Sequence, residues 1–187
     1  MKTTRIILLA SLLVAMMIAV GVALAPIPNV ELVTALAFVS GYLLGPGLGA
    51  VVGAVGMGAH SLFNVLGAVA PPVWFAQMGC FGLIGVVGGL FGPPLSNMRN
   101  RTRAAVMSGL VGSALVVVYQ LVVNIVAFYT FTSDVDVWVY VWGGIAFGAV
   151  QVAWNAAFFG LAMPPILRVL ARYRRELRPT RALEGDR

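Results

Sequence analysis

The sequence predicts an all-α integral membrane protein, a bundle of six transmembrane helices with both termini cytoplasmic. Charge placement is the first reason. Between Arg5 and Arg99 the only charged residue is Glu31, and between Arg103 and Arg168 the only ones are Asp134 and Asp136. Composition is the second: 60% hydrophobic, 10% charged and a mean hydropathy of +0.97, which is too apolar for a surface in water. The third is asymmetry. With six spans the termini and even-numbered loops share one side, and that side collects Lys2 and Arg5, then Arg99, Arg101 and Arg103, then seven arginines after Pro165, which is all 12 basic residues. An excess of Lys and Arg marks the cytoplasmic side.

Five to six spans of about 20 residues fit into 187 residues. Helix 1 is expected over residues 6–25, stopping at Pro26-Ile27-Pro28-Asn29, where proline removes donors. Lys2 and Arg5 followed by an apolar run ending Ala23-Leu24-Ala25 resemble a secretory signal. The run is long enough to span, however, and Pro26 follows the would-be cleavage point, so a retained helix is expected. Helix 2 covers residues 31–44 and is short, ending at Gly45-Pro46-Gly47. Helix 3 covers residues 48–66. Helices 2 and 3 could alternatively form a re-entrant hairpin, with the same parity of crossings. Helix 4 covers residues 73–91 after the turn Ala70-Pro71-Pro72, and a polar, basic loop follows from Gly92 to Arg103. Helix 5 covers residues 104–131. Thr132-Ser133-Asp134-Val135-Asp136 is an acidic loop, and helix 6 runs from residue 137 to 163, where Pro164-Pro165 break or kink it. The expected organisation is one six-helix membrane domain over residues 1–172 and a basic cytoplasmic tail over 173–187, partly disordered after about Pro179.

The net charge of +6 sits beside apolar helices, so it reads as topogenic charge and headgroup attraction rather than a nucleic-acid surface. Cys80 has no partner for an intrachain disulfide. No metal and no cofactor is expected.

Between helices in lipid, small residues four apart allow close approach. Helix 1 carries Ser11, Ala15, Ala19 and Ala23. Helix 3 carries Gly49, Gly53 and Gly56 after Gly45, and helix 4 carries Gly82, Gly85, Gly88, Gly89 and Gly92. The glycine-rich faces suit internal packing. The helix 1 stripe suits either packing or a partner.

Polar residues inside spans are costly and usually face a cavity or a partner. His60 and Asn64 share a face of helix 3, Gln77 and Cys80 a face of helix 4, and Gln120 and Asn124 a face of helix 5. At about 1.5 Å per residue, His60, Asn64, Gln77, Cys80 and Asn124 fall within about 12 Å of the outer helix ends. Asp134, Asp136, Trp138, Tyr140 and Trp142 lie at the same surface. Each has a plainer reading: His60 as a packing residue, Cys80 as an apolar filler, Trp74, Trp138 and Trp142 as an interfacial belt, and Gln151 and Asn155 as deeper packing. Their common depth outlines an outward-facing cavity.

Several stretches resemble the substrate-binding S component of energy-coupling factor (ECF) vitamin transporters. They are Pro28-Asn29-Val30-Glu31-Leu32-Val33-Thr34, the glycine-rich helix 3 ending His60-Ser61-Leu62-Phe63-Asn64, Pro71-Pro72-Val73-Trp74-Phe75-Ala76-Gln77-Met78 and Gly82-Leu83-Ile84-Gly85. The resemblance covers residues 6–172. It implies a non-enzymatic subunit of the cell membrane that binds a small-molecule vitamin and associates with a membrane coupling protein and two cytoplasmic ATPases. It also implies docking through Ala15, Ala19 and Ala23. The chain has no G-x-x-x-x-G-K-[ST] motif of its own.

Cavity residues vary with substrate in this family, so the expected substrate-binding residues rest on depth and spacing. They are Asn29, Glu31, His60, Asn64 and Trp74, with Gln77, Cys80, Asn124, Asp134, Trp138 and Trp142. Few charges disfavour a strongly charged ligand, and the aromatics suit a ring-bearing one. Cys80 and His60 could ligate a soft metal, making a cobalt corrinoid one candidate among other vitamins. Three rivals are a solitary secondary transporter, a structural membrane subunit and an intramembrane enzyme. The enzyme would need to build a nucleophile and base from Cys80 and His60.

Overall fold

A computed structural model describes residues 2–63, 69–131 and 135–177, and among these there is no strand. The elements are α1 Lys2–Leu24, α2 Val33–Leu44, α3 Pro46–Leu62, α4 Pro71–Asn97, α5 Arg101–Phe131, α6 Val137–Phe147, α7 Ala149–Leu161 and α8 Met163–Leu177.

Helix neighbours give the directions. Met17 meets Gly56 and Gly21 meets His60, so α1 runs parallel to α3. Phe38 meets Gly88 and Tyr42 meets Gly92, so α2 runs parallel to α4. Gly49 meets Gly85 and Gly53 meets Phe81, so α3 is antiparallel to α4. Gly112 meets Phe159, and Gln120 and Asn124 meet Gly148 and Gly144, so α5 is antiparallel to α6 and α7. The chain thus alternates up and down the bundle, with α6 and α7 together making one pass.

The glycine faces of α2, α3 and α4 permit the closest packing. A Cβ on Gly41 or on Gly49 would strike backbone atoms of the neighbouring helices, and one on Gly85 would strike the Gly49 carbonyl. Gly45 joins α2 to α3 at φ 92°, in the region glycine alone enters cheaply. We expect Gly85→Leu to lower unfolding stability by about 3 kcal/mol through overpacking. Gly79→Leu should leave it nearly unchanged, because nothing lies within 4 Å of a Cβ there. Thermal melts in detergent check this pair.

Length and composition suit α1, α4 and α5 to crossing a membrane, and α6 with α7 makes a fourth candidate bent by 46°. With 12 and 17 residues, α2 and α3 reach only about 18 and 26 Å, against a core of about 30 Å. This is an all-helical, multi-pass membrane protein.

Several boundaries differ from the sequence expectation. α4 does not stop at Phe91 but runs through Pro93 and Pro94 to Asn97. Proline φ is already helical, and Ser96 Oγ donates to the Pro93 carbonyl at 2.9 Å in the turn that follows. The loop expected from Gly92 shrinks accordingly. α5 starts at Arg101 because Asn100 caps it, accepting from Arg103 N at 2.9 Å. The expected helix 6 is two helices meeting at Gly148, and the chain breaks again at Ala162, just before Pro164. Residues 64–66 of the expected helix 3, and the tail from residue 178, lie outside the described residues.

The strongly amphipathic α8 crosses one end of the bundle. Arg168 Nη2 donates to the Met98 carbonyl and Arg174 Nε to the Tyr42 carbonyl, both at 3.0 Å. Both acceptors sit at helix C-terminal ends, where a cation is favoured. The buried Tyr42 hydroxyl donates back to Leu167 O at 2.9 Å.

Candidate functional site

Two polar chains cross the apolar bundle at the end away from α8. The first is centred on Glu31, just before α2. Its Oε2 accepts from Thr34 N at 2.8 Å, which caps the helix, and its Oε1 accepts from Asn155 Nδ2 at 2.8 Å. The Glu31 carbonyl accepts from Trp154 Nε1 at 2.8 Å. Asn155 Nδ2 also donates to Gln151 O at 3.1 Å, and Gln151 Oε1 accepts from Gln120 Nε2 at 2.6 Å. Asn124 Nδ2 completes the ladder by donating to Gln120 O at 2.7 Å and to Gln120 Oε1 at 3.2 Å. A carboxylate and four amides from the α2 entry, α5 and α7 therefore form one connected set. Its top rungs sit against Gly144 and Gly148, the α6–α7 bend.

The second chain joins α3, α4 and α5. Ser61 Oγ donates to Gln77 Oε1 at 2.9 Å, and Gln77 Nε2 donates to Tyr119 Oη at 3.4 Å. Tyr119 stands edge-on to Phe81, with centroids 5.6 Å apart. Tyr119 of this chain and Gln120 of the first are consecutive on α5, so the two chains meet at one level of that helix. His60 packs its ring over Gly21 of α1. Its buried Nδ1 has no hydrogen-bond partner among the described residues, and such an atom calls for an explanation.

The remaining expected residues distribute as follows. Asn29, at φ 62°, donates from Nδ2 to Phe147 O at 3.2 Å and ties the α1–α2 connection to the α6–α7 bend. Trp74 is fixed by its indole N–H on Gly58 O at 3.0 Å. Cys80 is buried and lines an apolar groove between α4 and α5 with Leu83, Val87, Val111 and Val118. Trp138 and Trp142, 60% and 66% exposed, point away from the bundle. Asp136 caps α6, accepting from Trp138 N at 2.8 Å. Asn64 and Asp134 lie outside the described residues. Ala15, Ala19 and Ala23 all lie on an exposed face of α1.

Sequence reasoning left out Tyr119 and Trp154 and placed Gln151 and Asn155 with packing. The available signal was the four-residue spacing of Gln151 and Asn155, which repeats that of Gln120 and Asn124. No group of three His, Cys, Asp or Glu residues suited to a metal occurs among the described residues. Cys80 faces α5 while His60 faces α1, so the pair does not form a soft-metal site.

Comparison with known families finds one whose model, described as ECF-type riboflavin transporter, S component, matches residues 1–172. No curated protein and no solved structure matches. The vitamin in the family's description is riboflavin, which corrects the corrinoid candidate drawn from Cys80 and His60.

Proposed function

This chain belongs to the ECF-type riboflavin transporter S component family, and from that premise we propose that it captures riboflavin, or a close flavin, in an outward-facing cavity at the Glu31 ladder. The family is one of transporter components, not of enzymes. The observation that carries the choice of site is the ladder from Glu31 to Asn124, which is too polar to be left in an apolar bundle without use.

The chemistry fits. Riboflavin is uncharged, with a flat ring system, a heteroatom edge of alternating acceptors and a donor, and a hydroxylated side chain. Each amide of Gln120, Asn124, Gln151 and Asn155 supplies both a donor and an acceptor, so the set can pair with an alternating edge. The Glu31 carboxylate is acceptor-only and suits hydroxyl donors. Tyr119 and Trp154 offer aromatic surface beside these groups. His60 Nδ1, without a hydrogen-bond partner among the described residues, gains one if a ligand hydroxyl reaches it.

With six crossings and both termini cytoplasmic, this cavity opens to the outside and α8, with its arginines, lies on the inner headgroups. Uptake then depends on a membrane coupling protein and two ATPases, met through the α1 face of Ala15, Ala19 and Ala23.

Titration of the purified chain against riboflavin, read by flavin fluorescence, tests the reading. Saturable one-to-one binding without ATP is expected, with a Kd below about 1 μM, or better than about −8 kcal/mol. Cobalamin should not compete. Absence of saturable binding by the folded chain would sink the proposal.

A further inference from the structure

At the α8 end of the bundle a cavity of about 530 Å³ lies between α5, α7 and α8, beside the close crossing of α5 and α7 at Gly109 and Gly160. Arg101 of α5, Gly160 and Leu161 of α7, and Pro164, Pro165 and Arg168 of α8 line it. Among the described residues no part of α1 contributes to it, so it is separate from the face of Ala15, Ala19 and Ala23.

Two features of the lining select the occupant. The first is a pair of backbone acceptors. Proline has no N–H, so Pro164 and Pro165 leave the Gly160 and Leu161 carbonyls without the donor that a continuous helix places four residues on. No backbone donor from outside the helices reaches either one among the described residues, and the lining holds no Ser, Thr, Asn or Gln. Gly160 lies against Ala105, about 6 Å along α5 from Arg101. With 31 residues, α5 is about 46 Å long and, when centred, overhangs a core of about 30 Å by about 8 Å at each end. The two acceptors therefore sit at the edge of the hydrocarbon, where freed backbone groups need a partner. The second feature is unbalanced charge. No acidic residue lines the cavity among the described residues, and Glu176 of α8 is engaged with Arg172 at 3.5 Å. Arg168 gives Nη2 to Met98 O at 3.0 Å and keeps further N–H groups, while Arg101 is exposed. Basic pockets between spans suit lipid phosphates.

We propose that this cavity binds one glycerophospholipid of the leaflet on the α8 side, of a kind whose head group carries an N–H or O–H donor. Its phosphate lies between Arg101 and Arg168, and its head-group donor reaches the Gly160 and Leu161 carbonyls. Leu161 and Val169, both exposed apolar side chains of the lining, give the acyl chains a surface to follow. A free phosphate would answer the arginines but leave that apolar surface bare. The inference rests on the chain's place in a membrane and not on which vitamin it binds.

The test is native mass spectrometry of the full chain in mild detergent, titrated in turn with phosphatidylethanolamine, phosphatidylglycerol and phosphatidylcholine of the same acyl chains. A single adduct of either of the first two should persist where phosphatidylcholine, which has the phosphate but no head-group donor, is lost. Arg101→Gln should lower occupancy about fivefold, the upper end for an exposed ion pair. Arg175→Gln, which removes the same charge from an exposed site outside the cavity, should leave it unchanged, with thermal melts confirming that both variants are folded. The comparison of lipids needs no variant, so it decides even if Arg101→Gln does not fold. Equal binding of all three lipids overturns the proposal, and so does a wild type without an adduct. An equal effect of the two substitutions overturns it too, since that would mark unspecific attraction to charge. Displacement of the lipid by excess inorganic phosphate would overturn it in favour of a free anion.

Discussion

Glu31→Gln is expected to weaken riboflavin binding by about 10- to 100-fold while leaving the helices intact. The carboxylate accepts two hydrogen bonds at 2.8 Å, from Thr34 N and from Asn155 Nδ2. A glutamine has one acceptor oxygen. If that oxygen keeps the cap on Thr34, the new amide N–H₂ confronts the Asn155 amide donor to donor. Asn155 can escape by turning its amide over, but it then gives up Gln151 O, and the ladder loses register. Hydrogen bonds to a charged group contribute about 1.5–3 kcal/mol, and each 1.4 kcal/mol is tenfold in affinity. Fluorescence titration and a thermal melt on the same sample read the two consequences apart. Unchanged affinity in a folded variant would make Glu31 a helix cap and nothing more.

The fold was most legible where a single local signal dominates. The apolar runs of α1 and α5 and the charge gaps between them follow from the cost of burying charge in lipid, and so do the basic clusters at the ends. Punctuation was less legible. Pro93 and Pro94 look like a stop, yet they sit in a last turn where their φ is compatible with helix and few backbone bonds remain to lose. Gly148 does break the chain, but nothing local separates it from Gly143 and Gly144 in the same apolar run. Contacts remote in sequence set Gly144 and Gly148 apart from Gly143, since Asn124 and Gln120 of α5 lie against the first two and nothing lies within 4 Å of a Cβ on the third.

The site divides in the same way. Gln120 and Asn124 stood out because two amides one turn apart on an apolar helix are expensive. The link that organises the ladder, Glu31 to Asn155, joins residues 124 apart in sequence and has no local signature. His60 and Cys80 were visible as chemistry but not as direction. A helix rotation decides that one faces α1 and the other α5, and only the packing of neighbouring helices sets that rotation. The ligand suffers most from this gap, since its identity depends on shape and edge pattern more than on which donors are present.

Ala19→Trp is expected to abolish riboflavin uptake in cells while the purified chain still binds riboflavin with unchanged affinity. Leu13 and Met17 of α1 are buried against the bundle, as is Gly21. Ser11, Ala15, Ala19 and Ala23 lie on a different, exposed face, so an indole at position 19 meets no part of this chain's core. It would meet a docking helix. Small residues four apart let two helices approach closely in lipid, and interaxial distances of about 8–10 Å follow the side chains at the contact. A tryptophan in the centre of the stripe holds a partner off and costs most of the dispersion contact along it. Uptake of labelled riboflavin, co-purification with the coupling protein and fluorescence titration should therefore give loss, loss and no change. Ala19→Gly, which keeps the face smooth, should behave as wild type in all three. If uptake survives the tryptophan, the stripe faces lipid and the chain works without a partner there, which is what the solitary-transporter alternative requires.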